Sequence, residues 1–344
     1  MHTNASQQHP GPDTMTRARA LQQRTGLIDL HLDTLIQTHL FRYDPLRRHR
    51  PGVHGQPLFW HADLPRLEAA HYAGACLGIH GWPFESPARV RSAHRQIDLL
   101  DRWCAATPDR VVRWRPGEAW PDDGRIVLTF GIEGAHILGG QQRHIDALAE
   151  RGMAYLTLAH FSRNRAVSPG MGRGANETEG LSPWGRDLIA ILNERGVVVD
   201  VAHVNQRGAR EACAASTRPV FATHTGSQRL HAHPRLLHPD TQQAVADTGG
   251  VIGVILAPQF LTGDRRADSR CVADHIEDIA ENVGVHHVAI GTDLDGWLPA
   301  IPSDMRDCTD TVLVTAHLLH RGWTEHDVAL VLRHNAVRVL TDTP

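Results

Sequence analysis

Eight short apolar runs, each followed by a segment of helical period, predict an α/β protein built as a closed (β/α)8 barrel of the TIM type. The length agrees: 344 residues suffice for one such barrel, or for roughly two smaller domains. The competing architecture is an open doubly wound sheet. It calls for a glycine-rich phosphate turn after the first strand, and GLIDLHLDTL carries none.

The runs fall at about 26–33 (GLIDLHLD), 73–80 (AGACLGIH), 125–132 (RIVLTFGI) and 153–160 (MAYLTLAH). They continue at about 197–203 (VVVDVAH), 219–224 (PVFATH), 250–256 (GVIGVIL) and 286–293 (HHVAIGTD). All are apolar and β-prone, and in the first Asp29, His31 and Asp33 alternate with apolar residues, the ordinary period of a strand. Helical spacing runs through ESPARVRSAHRQIDLLDRWCAA, HIDALAERG, SPWGRDLIAILNERG, NQRGAREACAAS, HPDTQQAVADTG and VADHIEDIAENVG. Two more such segments, TDTVLVTAHLLHRG and TEHDVALVLRHNAVRVL, follow the last strand. SPWGRDLIAILNERG marks its own ends, with Ser182 as N-cap, Pro183 at the first helical position and Gly196 as the stop. Residues 1–20, polar and rich in breakers, are expected to be a disordered tail, and 21–344 a single catalytic barrel domain.

Composition excludes several roles. A formal charge of −3 gives no reason to expect nucleic acid or an anionic membrane surface as partner. Nothing approaches the ~18 continuous apolar residues of a spanning helix, and the first residues do not form a signal peptide. Five scattered cysteines without CxxC spacing read as reduced thiols in the core of a cytoplasmic protein. All 35 basic residues are arginine, which excludes Schiff-base lysines, a phosphate-loop lysine and a carbamylated lysine bridging two metals.

Chemistry concentrates where the runs end. His31 and Asp33 end the first, Glu133 the third, His203 the fifth, His224 the sixth and Asp293 the eighth. In a barrel these ends converge on one mouth. Unpaired buried acids cost several kcal/mol, so such a cluster calls for a cation. Imidazoles and carboxylates suit zinc or another divalent first-row metal. The set exceeds what one tetrahedral ion with an open position needs and fits two ions sharing a carboxylate, for which Glu133 is best placed. Because 25 histidines make chance HxD pairs common, the joint placement carries the argument rather than any one motif. His80, His136, His286 and His287 are expected to be structural or supporting.

The stretches D-x-H-x-D, GIEG-x-H, YLTL-x-H, GLSPWGRDLIAILNERGVVVDVAHV, HPR and IGTDLDG resemble the membrane dipeptidase (renal dipeptidase-like, M19) family of metallopeptidases, from about 26 to 340. The resemblance implies a metal-dependent hydrolase with two zinc ions per chain that cleaves dipeptides. It assigns His31 and Asp33 to one ion, His203 and His224 to the other, and Glu133 as bridge. It matches His160 to a histidine near the scissile carbonyl, Arg235 to the arginine that binds the substrate carboxylate, and Asp293 to the acid near the substrate amine. The chain departs from the family at Leu236, where Asn is usual, before Pro239, in GIHGW, and across residues 161–180.

The expected partner is therefore a small dipeptide-like substrate, and a homodimer is compatible with the sequence. Asp293 is expected to act as general base and then acid. Arg163, Arg165 and Arg173, with little acid nearby, are expected to form a positive rim favouring acidic substrates. The alternatives are a metal-dependent amidohydrolase on a non-peptide amide, a hydrolase of a peptide-conjugate intermediate, and a non-catalytic ligand-binding barrel.

Overall fold

The computed structural model describes residues 9–56 and 60–342. Within them nine parallel strands follow in chain order. They are β1 (Leu27–Leu32), β2 (Tyr72–Ile79), β3 (Val111–Arg113), β4 (Ile126–Glu133) and β5 (Met153–Thr157), then β6 (Val198–Asp200), β7 (Val220–Thr225), β8 (Val251–Val254) and β9 (Val288–Ile290). Each strand pairs with the next around the ring, except that β2 pairs with β4, from Gly74↔Val127 to Ile79↔Ile132. β1 meets β9 at Asp29↔Ile290, which closes an eight-stranded barrel. Closure leaves the eight barrel strands without a free edge among the described residues, and they are buried almost throughout.

The ninth strand, β3, was not foreseen. It pairs only with the first residues of β4, Val111↔Ile126 to Arg113↔Leu128, and three residues are too short to show a period. The expected tail is also corrected. Pro12–Thr25 is a helix with Pro12 in its first turn and a buried stripe of Ala18, Leu21, Gln22 and Thr25. Gln22 Nε2 donates to the Ala70 carbonyl at 2.8 Å, and Thr315 Oγ1 donates to Gln22 Oε1 at 3.1 Å, so a polar residue helps to seat this helix. The tail assigned to residues 1–8 lies outside the described residues.

Elsewhere local signals act as expected. Ser182 Oγ accepts from Gly185 N at 2.9 Å to cap the helix Pro183–Glu194. The observed strands stop earlier than the apolar runs do, so Asp33, His160, His203 and Asp293 stand on the loops just beyond β1, β5, β6 and β9. All five cysteines are unpaired, and four are buried. Among the described residues no helix is long and apolar enough to cross a membrane.

Candidate metal centre and active site

Glu133, the last residue of β4, is the hub. Its Oε1 lies 3.2 Å from His203 Nε2, 3.3 Å from His160 Nε2, 3.6 Å from His31 Nε2 and 3.7 Å from His224 Nε2. His31 Nε2 also lies 3.4 Å from Asp33 Oδ1. Ligand atoms of His31, Glu133 and His224 fall within one metal-sized group, and so do those of His31, Asp33 and Asp293. The structure thus brings all six strand-end residues to one place, together with His160.

The backbone explains how so many polar groups crowd together. Asp33 stands at the N-cap of the helix Thr34–Phe41, yet its carboxylate caps nothing and turns inward. A Cβ on Gly78 would lie 2.0 Å from Asp33 Oδ1, and one on Gly296 would lie 2.0 Å from Asp293 Oδ1. Both carboxylates therefore occupy space that only glycine leaves. His203 and Asp293 hold left-handed φ angles of 65° and 57°, a costly conformation for non-glycine residues that concentrates at functional sites.

A supporting layer orients the rings. Tyr155 Oη is 2.7 Å from His31 Nδ1, and Thr223 Oγ1 is 2.9 Å from His224 Nδ1, which aims each Nε2 at the centre. Gly131 makes room for the Tyr155 ring, which a Cβ there would meet at 2.0 Å. Asp200 accepts from Thr157 Oγ1 at 2.6 Å and Thr223 Oγ1 at 2.8 Å, tying β5, β6 and β7 together. Asp29 accepts from Thr292 Oγ1 at 2.6 Å and Thr292 N at 2.8 Å, so this acid of the first strand clamps β1 to the end of β9. Tyr155, Thr223 and Asp200 were not recognised in the sequence, where they look like ordinary strand residues. His80, expected to be supporting, lines the same cavity with Nδ1 3.9 Å from Glu133 Oε2.

Charge shows what the cluster lacks. Burial holds His203 and His224 well below the usual imidazole range, helped by the Arg235 charge, and burial with His80 and His136 does the same to His160. These three are neutral ligand-type imidazoles. His31 is the opposite case: burial opposes its charge, but Asp33, Glu133 and Asp293 outweigh it and raise the ring to about 10. Asp293 is pushed well above the carboxylate range by burial and by the charge of Asp33. Among the described residues, His31 Nε2 and Asp33 Oδ1 are buried without a hydrogen-bond partner. Three buried acids that hold a proton on His31, beside three neutral imidazoles, fit divalent cations in that proton's place, as the donor set does. Another trio, His9, Asp304 and His317, lies apart from the mouth. There Asp304 already accepts from Ser269 N at 2.8 Å and Ser269 Oγ at 2.6 Å.

Arg235 lines the same cavity as Asp293. It is buried, its Nη2 donates to the His224 carbonyl at 3.0 Å, and its guanidinium lies 6.0 Å from the Phe260 ring centre. Burial lowers it to about 10, which leaves it charged at neutral pH. Among the described residues its Nε has no partner. Asp33, Glu133, His160, His203, Arg235 and Asp293 share a cavity of about 420 Å³, within the usual size of small-molecule sites. The rest of its wall is largely aromatic and apolar, including Trp82, Phe161, Phe260 and Trp297.

The expected positive rim is corrected. Arg163 pairs with Glu179 at 3.1 Å, Arg165 pairs with Glu85 at 3.2 Å, and Arg173 lies over the Phe84 ring at 5.0 Å. Glu85 lies 80 residues before its partner, so counting local charge could not reveal the neutralisation.

The model of the membrane dipeptidase family (peptidase family M19) matches residues 15–343. The chain is 28% identical over 337 residues to dipeptidase aclJ of Aspergillus oryzae, covering 93% of this chain and 78% of that one. Its fold is similar to that of the probable dipeptidase PvdM from Pseudomonas aeruginosa, with TM-score 0.85 at 21% identity over 96% and 99% of the two chains. It is also similar to a metallo peptidase from Rhodobacter sphaeroides liganded with a phosphinate mimic of dipeptide L-Ala-D-Ala. That match has TM-score 0.79 at 21% identity over 93% and 99% of the chains.

Proposed function

Because this chain belongs to the membrane dipeptidase family, and is thus a metal-dependent hydrolase of peptide bonds, we propose that it is a two-zinc enzyme selecting dipeptides by their free C-terminal carboxylate. The observation that carries this reading is Glu133 Oε1 with four imidazole Nε2 atoms within 3.2 to 3.7 Å, in a cavity that also holds Arg235 and Asp293. His31, Asp33, His203 and His224 would hold the ions, with Glu133 shared between them. Ions held there supply Lewis-acid polarisation of the scissile carbonyl and a more acidic water.

The protein's own groups do the rest. Arg235 pairs with the free carboxylate, and a longer peptide cannot offer one at that distance from the scissile bond. Asp293 takes the proton of the attacking water and passes it to the leaving amine. His160, whose Nε2 faces the centre, donates to the carbonyl oxygen as negative charge develops there. Five unpaired thiols favour a reducing, cytoplasmic setting.

The test compares Ala-Ala with its C-terminal amide and with Ala-Ala-Ala on zinc-reconstituted protein. The free dipeptide is expected to be cleaved fastest, and Arg235→Gln to erase its advantage over the amide. Equal rates on dipeptide and amide favour the non-peptide amidohydrolase reading, and no turnover of any substrate favours the binding barrel. The Rhodobacter sphaeroides ligand puts Ala-D-Ala in the same panel.

A further inference from the structure

The floor of the cavity is polar, but one corner of its mouth is aromatic. Trp82, from the loop after β2, and Trp297, from the loop after β9, stand with ring centres 6.4 Å apart, inclined at 52°. The His80 ring completes a triangle with them, 6.2 Å from Trp82 and 5.8 Å from Trp297. Phe41 meets Trp297 edge-on at 6.4 Å. Trp82 is 53% exposed and Phe41 52%, so a sizeable apolar surface borders a hydrolytic centre.

Trp297 is held there at a cost. Its φ is 59°, and Asp293 and Asp295 in the same loop are also left-handed, at 57° and 68°. Bulky residues avoid this region. The loop is pinned in place through Asp295, which accepts from Thr34 Oγ1 at 2.9 Å and from His61 N at 2.6 Å, while Gln37 Nε2 donates to its carbonyl at 2.7 Å. Trp297 Nε1 and His80 Nε2 are buried without a partner among the described residues. The position of the indole is therefore built by the fold.

The corner lies on the Asp293 side of the cavity, since Trp297 follows Asp293 by four residues and Gly296 packs against its carboxylate. Arg235, packed by Phe260, lines the same cavity. A dipeptide with its carboxylate at Arg235 and its amine at Asp293 sets its N-terminal Cα beside this corner. We infer that the enzyme selects dipeptides whose N-terminal residue is large and apolar, aromatic above all, with Trp82 and Trp297 as specificity-determining residues. This rests on the dipeptidase reading. An acidic N-terminal side chain would meet indole faces and the Asp33 and Asp293 carboxylates instead.

The experiment measures kcat/KM for Phe-Ala, Leu-Ala, Ala-Ala, Asp-Ala and Ala-Phe on the zinc-reconstituted full chain. Phe-Ala is expected to exceed Ala-Ala by about tenfold or more, the discrimination available to an apolar pocket. Trp82→Ala and Trp297→Ala are expected to lower the Phe-Ala to Ala-Ala ratio severalfold, and Trp297→Phe to retain most of it. Trp82 is half exposed, so its variant tests the inference even if Trp297→Ala fails to fold. Equal rates for Ala-Ala and Phe-Ala, a ratio that ignores the Trp82 variant, or a gain confined to Ala-Phe overturns the inference while leaving the dipeptidase reading intact. No turnover of any dipeptide overturns both.

Discussion

His203, on the loop after β6, and His224, in β7, bring their Nε2 atoms to 2.8 Å of each other and to 3.2 and 3.7 Å of Glu133 Oε1. Burial keeps both rings neutral, and two neutral rings meeting at Nε2 can share only one proton between them. A cation satisfies both at once. Metal analysis after reconstitution is expected to find about two zinc equivalents per chain, as two-metal hydrolytic sites hold. Glu133→Gln should lower both occupancies, and His203→Ala mainly one. A wild-type value at or below one would sink the two-ion reading.

Asp293→Asn is expected to keep fold and metal while losing ~10²–10⁴ of kcat, the usual contribution of a general acid–base group. Asparagine tolerates the left-handed backbone at this position about as well as aspartate does. The loop's backbone bonds, Asp293 N to the His31 carbonyl and Gly296 N to the Asp293 carbonyl, are unaffected by the exchange. Melting temperature and kcat measured on the same variant decide the matter. Unchanged kcat per folded molecule would remove Asp293 from proton transfer.

Tyr155→Phe removes only the hydroxyl that holds His31 Nδ1. Loss of such a supporting contact typically costs about 10- to 100-fold in metal affinity. Chelator competition on the purified variant should therefore show weaker zinc binding with Arg235-dependent substrate selection intact. Wild-type zinc affinity would mean that the barrel packing alone orients His31.

His317 predicts an acid limit to stability away from the mouth. Burial, and then the Arg321 charge, lower this histidine to about 4. An unfolded histidine titrates near 6.5, so between these values the unfolded chain binds more protons and stability falls as pH drops. His317→Gln can still bond to Ser269 Oγ, which lies 3.1 Å from Nε2 in the parent. Its melting temperature should decline less steeply than the wild type's from pH 6.5 toward 4. Parallel curves would show that His317 does not set the slope.

The barrel was legible because its strands announce themselves as apolar, β-prone runs, and the residues gathered around Glu133 because they stand at or near the ends of such runs. Tyr155, Thr223 and Asp200 were not, since their partners sit on neighbouring strands and nothing local distinguishes them from packing residues. The helix Pro12–Thr25 hid behind its arginines and glutamines, its seat depending on Gln22 reaching Ala70 and Thr315. The arginines of the 161–180 loop misled for a related reason: Glu85, which neutralises Arg165, arrives from the loop after β2.

The left-handed turn from Asp293 to Trp297 joins two properties that enzymes usually adjust apart. One short loop carries both Asp293, the proton carrier of the proposed reaction, and an indole of the pocket wall, and Gly296 between them packs against the carboxylate. Substitutions that reshape the wall from this side therefore also shift the acid, so changes in taste there come with changes in speed. Trp82, on a different loop and half in solvent, has no such tie. Divergence in substrate preference among relatives should accumulate first on the Trp82 side, with the Asp293 loop held still.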